Sequence, residues 1–246
     1  MKSTLSRGII LPDLHAPYHD KRAWRLFLNV VKDFQCDWVL SLGDFYDGYA
    51  VSRYVKDPQK DQSFYREIQL GRKLCLEPLN ALGIKRKIIT LGNHDERPDA
   101  YLREKAPAVY EQYLHDDWLG FRSTGWEVYP YHEFATLGKL IATHDVGVMG
   151  AHRVLNAVQN NVVSGHDHRM DYVVEGTSLG VTHVSATFGW MGDRKHAEYM
   201  HKIQAMRKWV LGFGLGYIAP NGYSYLVPVP IVNYTCVVEG RWYSAV

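Results

Sequence analysis

The segment RKIITLGNHDER, residues 86–97, carries the strongest structural signal in the chain. Its first half is typical of a buried apolar strand, and its second half places Asn93, His94 and Asp95 side by side directly after a glycine. Polar side chains are costly to bury unless they find partners. Other apolar segments of the sequence end in the same way, so we expect their polar residues to converge on one place.

The composition is that of an ordinary globular protein. Its 246 residues, of which 46% are hydrophobic and 22% charged, suit one large domain or two small ones and can bury a sizeable core. A net charge of +2 neither requires nor excludes an anionic partner. The strongly basic character typical of nucleic-acid-binding proteins is not present in the sequence.

Cysteine usage and hydropathy indicate a cytoplasmic protein. Cys36, Cys75 and Cys236 are far apart and form no CxxC pair, which argues against a disulfide framework or a cysteine-based zinc site. The sequence has no apolar run of the roughly 18 residues that a membrane span needs. The first residues also lack the apolar centre of a signal peptide, so we expect no membrane partner.

Hydrophobic periodicity predicts alternating strands and helices in the first half of the chain. The predicted strands are 7–13, 37–44 and 86–92, and the predicted helices are 20–34, 61–82 and 98–118, with disturbances near Pro78 and Pro107. This alternation favours a parallel sheet with helices packed on it.

Strands dominate the second half. The predicted strands are 126–131, 139–143, 161–165, 171–176 and 180–187, followed by a helix over 196–211 and a hairpin over 223–243. We expect one domain, residues 1–246, with two packed β-sheets and helices outside them. The basic and aromatic segment 194–223 has two readings: a helix packed on the core, or a helix and a glycine-rich loop that border the active site.

Five of these strands are followed by acidic, amide or imidazole side chains. In chain order these are Asp13 and His15, Asp44 and Asp47, Asn93 to Asp95, His144 and Asp145, and His166 and His168. The carboxyl ends of strands in an α/β sheet face a common crevice, and residues i and i+2 of an extended segment point the same way. Asp, Asn and His without a thiolate suit Mn, Fe, Zn, Co or Ni better than Ca. The donors are more than one ion needs, so we predict two ions about 3.5–4 Å apart, bridged by a carboxylate and a hydroxide.

The order DLH, GD, GNHD, H and GHDH, spread over residues 13 to 168, resembles the calcineurin-like metallophosphoesterases. The resemblance implies an α/β fold of four layers, α/β/β/α, with two mixed sheets flanked by helices. It also implies a phosphoric ester hydrolase in which a hydroxide bridging two metal ions attacks phosphorus. Mn²⁺ is the metal that we favour, with Fe, Zn, Ni, Co or Mg as alternatives.

The resemblance also implies a role for each site residue. Asp13, His15 and His168 hold the first metal, Asn93, His144 and His166 hold the second, and Asp44 bridges them. Asn93 also faces the phosphoryl oxygens. His94 donates a proton to the leaving oxygen or stabilises the transition state, and Asp95 orients its ring.

Two further residues have roles that stay open at this point. Arg97 could clamp a phosphate with two hydrogen bonds, and a solvated surface position is equally open for it. Asp47 either supports the Asp44 loop or is an ordinary surface residue.

Departures from the family pattern limit the range of substrates that we expect. His144 is followed by Asp145 where the family has Gly, which would place an outer partner there or alter substrate fit. GDFYDG lacks the Asp-Arg-Gly ending of protein phosphatases, so a protein substrate is disfavoured. We predict a phosphomonoesterase acting on nucleotides or other small phosphates. The alternatives are a phosphodiesterase or nuclease acting on DNA or RNA and, less favoured, a non-catalytic binding scaffold; the oligomeric state stays open.

Overall fold

Two mixed β-sheets form the centre of the fold. The computed structural model describes residues 5–58, 61–113, 117–196 and 206–245. The strands are β1 (Ser6–Leu11), β2 (Trp38–Ser41), β3 (Arg86–Thr90), β4 (Glu127–Tyr129), β5 (Ala135–Leu137), β6 (Leu140–Thr143), β7 (Val162–Ser164), β8 (Met170–Gly176), β9 (Thr182–Phe188), β10 (Gly212–Ile218), β11 (Ser224–Pro230), β12 (Thr235–Val238) and β13 (Arg241–Ser244). The helices are α1 (Lys21–Phe34), α2 (Phe64–Gly71), α3 (Glu77–Asn80), α4 (Arg97–Lys105), α5 (Pro107–Tyr113) and α6 (Ala151–Val158).

The first sheet has the strand order β11-β10-β1-β2-β3-β4, and the second has the order β5-β6-β7-β9-β8. Strands β1 to β4 are parallel, while β10 runs antiparallel to both β1 and β11. In the second sheet β6, β7 and β9 are parallel, and β5 and β8 are antiparallel edge strands. The parallel strands of each sheet therefore have their carboxyl ends at one edge, where a site can form.

The layers follow from two hydrophobic clusters. Ile10, Leu40 and Ile88 of the first sheet pack against Ala142 and Val163 of the second, which joins the sheets face to face. The opposite face of the first sheet carries the other cluster, which includes the buried side of α1. Helix α6 packs on β7, β8 and β9 outside the inter-sheet cluster. The predicted four-layer α/β/β/α fold is thus confirmed.

Helix α1 shows why the local sequence pattern is informative. The carboxylate of Asp20 accepts hydrogen bonds from the backbone N–H groups of Arg22 and Ala23, so it caps the helix at the start of the predicted range 20–34. Trp24, Phe27 and other apolar residues at helical spacing form the buried face. Burying one such large side chain stabilises the fold by roughly 1.5–3 kcal/mol.

The predicted helix 61–82 is correct in outline and wrong in detail. It consists of α2, a π-helical stretch Arg72–Leu76 and α3. Pro78 lies just after the π-helical stretch in this continuous run and cannot donate the helical hydrogen bond of its turn, so the predicted disturbance near Pro78 is confirmed. The predicted helix 98–118 is divided, with α4 ending at Lys105 and α5 starting at Pro107, which confirms the break.

The glycine-rich segment after residue 211 is a strand, not a loop. It forms β10, which lies between β1 and β11 in the first sheet. A Cβ atom at Gly216 would lie 2.5 Å from the Trp38 ring, and one at Gly214 would lie 2.7 Å from the Phe188 ring. Glycine is therefore required because aromatic rings lie flat on the strand. The hypothesis of a glycine-rich loop bordering the active site is wrong for these residues.

Two further predictions for the C-terminal part need correction. The segment 223–243 does not form one hairpin, because β11 pairs with β10 and only β12 and β13 pair with each other. The predicted helix 196–211 falls largely on residues 197–205, outside the described residues. Across the described ranges, no helix combines the length and the apolar character needed to cross a membrane.

Candidate metal centre

The predicted ligands meet where the carboxyl edges of the two sheets face each other. Asp13, Asp44 and Asn93 follow β1, β2 and β3 of the first sheet, whereas His144 and His166 follow β6 and β7 of the second. The backbone N–H of His166 donates to both oxygens of Asp13, at 3.1 and 3.0 Å, which ties the two sheets together at this point.

Both aspartates lie in close-fitting, fully enclosed positions. Asp13 is 0% exposed and Asp44 is 2% exposed. The backbone N–H of His94 donates to Oδ1 of Asp44 at 2.8 Å. A Cβ atom at Gly92 would lie 2.1 Å from Asp44 Oδ1, and one at Gly165 would lie 2.6 Å from Asp13 Oδ1. The glycines of the GNHD and GHDH segments therefore make room for the carboxylates.

Second hydrogen bonds fix how two of the imidazoles face the centre. Nδ1 of His144 donates to the carbonyl oxygen of Leu42 at 2.7 Å, and Nδ1 of His15 lies 3.2 Å from Oδ2 of Asp47. Each ring therefore keeps its Nε2 lone pair for the centre, as metal-binding histidines do. Nε2 of His15 lies 3.3 Å from Nε2 of His168, so two imidazole nitrogens point at the same space.

Three sets of side chains have ligand atoms that all lie within 4.8 Å of one another. They are Asp13, His15 and His168; His15, Asp44 and His94; and Asp44, His144 and His166. Oδ1 of Asn93 lies 3.1 Å from Nε2 of His144 and 3.0 Å from Nδ1 of His166. The structure thus brings all seven predicted ligands together, and the donor set and its ring orientations fit divalent cations.

Backbone strain is concentrated in this centre. The φ angles of His15, Asp44, His166 and His168 are +55°, +46°, +73° and +57°, in the left-handed region that L-residues seldom adopt. Such conformations cost of order 1–3 kcal/mol each and persist only where the surrounding structure holds them. Four of the seven ligands therefore sit on backbone that local sequence preference would not favour.

The charges of the centre are balanced within the protein. Burial opposes ionisation of Asp44, but His144 and His94 outweigh it and hold the pKa of the Asp44 carboxyl well below its usual range. Burial likewise opposes a charge on His144, but Asp44 raises the pKa of His144 to about 10. In the metal-free protein a proton on His144 therefore balances the carboxylate, and a bound cation would displace it.

The partner of His94 differs from the prediction. Nδ1 of His94 lies 3.5 Å from Oδ2 of Asp47, which also faces His15. The two carboxylate oxygens of Asp95 instead accept hydrogen bonds from the backbone N–H groups of Phe45, Tyr46 and Gly92. The prediction that Asp95 orients the His94 ring is therefore wrong: Asp95 points at backbone amides and holds the Asp44 loop. The role of Asp47, which the sequence left open, is to contact the rings of His94 and His15.

Arg97 and Asp145 have partners within the protein. The Arg97 guanidinium donates to the carbonyl oxygen of Asp47 at 2.6 Å and lies 2.8 Å from Nε2 of His94. Asp145 accepts from the backbone N–H of Gly147 at 2.7 Å and from the hydroxyl of Tyr131 at 3.3 Å. Arg97 thus belongs to the His94 surroundings, and Asp145 stabilises the turn after His144.

Two tryptophans beside His168 were missed by sequence reasoning. The Trp190 ring stacks on the His168 ring with 4.8 Å between centroids, and the Trp209 ring meets it edge-on at 4.3 Å. Trp209 lies within the segment whose role was open, so one residue of that segment does border the centre. No spacing rule links Trp190 or Trp209 to the ligand motifs, and only their shared proximity to His168 identifies them.

One protein family, two phage proteins and a solved structure are similar to this chain. The family model described as calcineurin-like phosphoesterase matches residues 7–219. Two proteins of mycobacterial phages, each named Gene 54 protein, are 28% identical to this chain over 254 residues in phage D29 and over 257 residues in phage L5. Each alignment covers 96% of this chain and 97% of the relative. Among solved structures, Vacuolar Protein Sorting 29 from Cryptosporidium parvum is similar, with a TM-score of 0.45, 14% identity, and coverage of 97% of this chain and 94% of that one.

Proposed function

The chain belongs to the calcineurin-like phosphoesterase family, and we propose that it hydrolyses phosphomonoesters, either nucleotides or other small phosphates, at a pair of divalent metal ions. Metal-dependent hydrolysis of phosphate esters is the general activity of this family. One observation carries the proposal of two ions: the set of Asp13, His15 and His168 and the set of Asp44, His144 and His166 are linked by a third set, which shares His15 with the first and Asp44 with the second.

The side chains divide between the two ions as the resemblance implies. Asp13, His15 and His168 would hold one ion, and Asn93, His144 and His166 the other, with Asp44 shared. We propose Mn²⁺ as the metal, since oxygen and imidazole donors suit it. We also propose a cytoplasmic location, which the three free thiols support.

When bound, the two ions would supply an activated water and Lewis-acid stabilisation of the phosphoryl oxygens. The chain provides the proton transfer. Burial lowers the pKa of His94, and Asp47, which faces Nδ1 of His94, acts against this effect by favouring the protonated ring that a general acid needs. Nε2 of His94 faces Arg97, and proton donation to the leaving oxygen therefore requires Arg97 to release the ring. Since Oδ1 of Asn93 faces His144 and His166, its amide nitrogen would donate to a phosphoryl oxygen.

The test compares p-nitrophenyl phosphate with bis(p-nitrophenyl) phosphate on chelator-treated protein reloaded with Mn²⁺. We expect turnover only with metal and a higher kcat/KM for the monoester. His94→Gln should lower kcat by about 10²–10⁴-fold, the usual contribution of a general acid, while bound metal is retained. The exposed His152 gives a matched control, His152→Gln, with unchanged kcat. Turnover by His94→Gln at the wild-type rate would contradict the mechanism, and preference for the diester would favour the phosphodiesterase.

A further inference from the structure

A cleft of about 570 Å³ opens beside the metal centre. Asn93 and Arg97 belong both to this cleft and to the centre, so the two are continuous. One wall is the segment 51–54, and the other is one side of α4. The volume is in the range of sites that enclose a small organic ligand.

The α4 wall presents an aromatic ring. Arg97, Tyr101 and Lys105 follow one another at four-residue spacing and therefore share a face of the helix. Tyr101 is 45% exposed, although a tyrosine ring would gain by burial. Pro98 is the residue of α4 that is buried in the protein, whereas the face with Arg97, Tyr101 and Lys105 lines the cleft.

The facing wall presents a cation. Arg53 lines the cleft, and its guanidinium lies 5.8 Å from the centroid of the Tyr54 ring. No ion pair of Arg53 occurs within the described ranges of the chain, whereas Lys105 on the other wall is paired with Glu104 at 2.6 Å. The charge of Arg53 is therefore left to interact with a ligand, and guanidinium planes also stack on bases.

We infer that this cleft binds the base and ribose of a nucleoside monophosphate whose phosphate lies at the metal centre. The base stacks on Tyr101, and Arg53 covers its other side or pairs with its polar edge. This inference rests on the proposed function and names the substrate class: phosphate esters whose leaving alcohol is the ribose of a nucleoside, with a planar, polar, aromatic base attached. A small aliphatic phosphate would reach the metals without using the cleft.

The test is the ratio of kcat/KM for AMP to kcat/KM for glycerol 2-phosphate, measured on the Mn²⁺-loaded full chain. Tyr101→Ala should lower this ratio about tenfold through KM for AMP, because a stacked base commonly contributes that much to binding. Tyr101→Phe should restore most of the ratio, and Arg53→Ala should lower it as well. Tyr172→Ala is the matched control, since Tyr172 is 46% exposed and lies on β8, away from the cleft.

The outcomes separate this inference from the proposed function. If Tyr101→Ala and Tyr172→Ala hydrolyse both substrates with the same ratio of kcat/KM for AMP to kcat/KM for glycerol 2-phosphate, the inference of a nucleoside cleft is wrong and the proposed function still stands. Cleavage of single-stranded oligonucleotides without turnover of AMP would also overturn it, in favour of a nucleic-acid strand. Absence of metal-dependent turnover of AMP, glycerol 2-phosphate and the chromogenic esters would instead contradict the proposed function.

Discussion

At the residue scale, Asp47 links the two halves of the candidate chemistry. Its Oδ2 lies 3.2 Å from Nδ1 of His15 and 3.5 Å from Nδ1 of His94, and its backbone carbonyl accepts from Arg97. One partly buried carboxylate thereby contacts both a proposed metal ligand and the proposed general acid. Burial opposes its ionisation, but hydrogen bonds from His15 and His94 hold the pKa of Asp47 far below its usual value.

Asp47→Asn should lower kcat by about 10- to 100-fold at saturating Mn²⁺, in the range found for residues that orient metal ligands. The physical reason is that the amide no longer stabilises a protonated His94. Asp95→Asn provides the comparison, because Asp95 holds backbone amides: we expect that variant to lose thermal stability and bound metal together. Equal kcat in Asp47→Asn and wild type, measured with metal content checked, would contradict the role of Asp47.

At the element scale, the junction of β1, β2 and β10 depends on the absence of side chains. Gly8 is directly opposite Trp38 in the parallel β1–β2 pair. A Cβ atom at Gly8 would lie 2.0 Å from the Trp38 ring, and one at Gly216 of β10 would lie 2.5 Å from it. The Trp38 indole therefore lies across three neighbouring strands and fixes their close approach.

Gly8→Ala should destabilise the protein by at least about 1–3 kcal/mol, as overpacking does. Adding Trp38→Leu should relieve part of this loss, because the new methyl group then has room, giving a coupling of about 1 kcal/mol or more in denaturant melts. Gly176→Ala is the control, since a Cβ atom there would meet no atom within 4 Å. Strict additivity of the Gly8 and Trp38 changes would count against the packing described.

At the scale of the whole molecule, the centre joins two sheets whose facing surfaces pack through apolar side chains. Ligands from both sheets would hold the same ions, so metal binding should resist separation of the sheets. Adding Mn²⁺ at 100 times its Kd to chelated protein should raise the free energy of unfolding by about 2.7 kcal/mol. For a chain of this size we expect Tm to rise by about 5–10 °C. His144→Asn should show a smaller rise, and an unchanged Tm for wild type would contradict metal binding at this site.

Acid stability of the metal-free protein should depend on His19. Burial lowers the pKa of His19 to about 4, and its Nδ1 lies 3.4 Å from Sγ of Cys75. The unfolded chain protonates His19 near pH 6.5, whereas the folded chain protonates it only near pH 4. The stability that depends on a neutral His19 is therefore fully present above about pH 6.5 and is lost as pH falls toward 4. It amounts to at most about 3 kcal/mol.

Denaturant melts at pH 7 and pH 4.5 would measure this contribution. His19→Gln should reduce the loss of stability between the two pH values, whereas His152→Gln, at an exposed position, should leave the loss unchanged. Identical losses in wild type and His19→Gln would show that other groups control the acid sensitivity.

Local patterns in the sequence predicted the proposed ligands and much of the framework. Strands that end in acidic, amide or imidazole side chains are local patterns, and they can be recognised without knowledge of the fold. Helix α1 with its Asp20 cap could be predicted for the same reason, because capping and helical periodicity act within a few residues. The gathering of Asp13, Asp44 and His168 could be predicted as well, since the ends of parallel strands share an edge.

The carboxylate that faces His94 and the rings that contact His168 depend on contacts between distant segments and could not be predicted. Asp95 is the neighbour of His94 in the sequence and Asp47 lies in a different motif, yet Asp47 faces the His94 ring while Asp95 accepts from three backbone amides. Trp190 stacks on His168 although the two are 22 residues apart. The glycines of β10 suggest a loop in the sequence, and only their contacts with the Trp38 and Phe188 rings explain why they lie in a strand. These contacts join distant segments, so their energies are fixed by packing between layers and not by any local pattern.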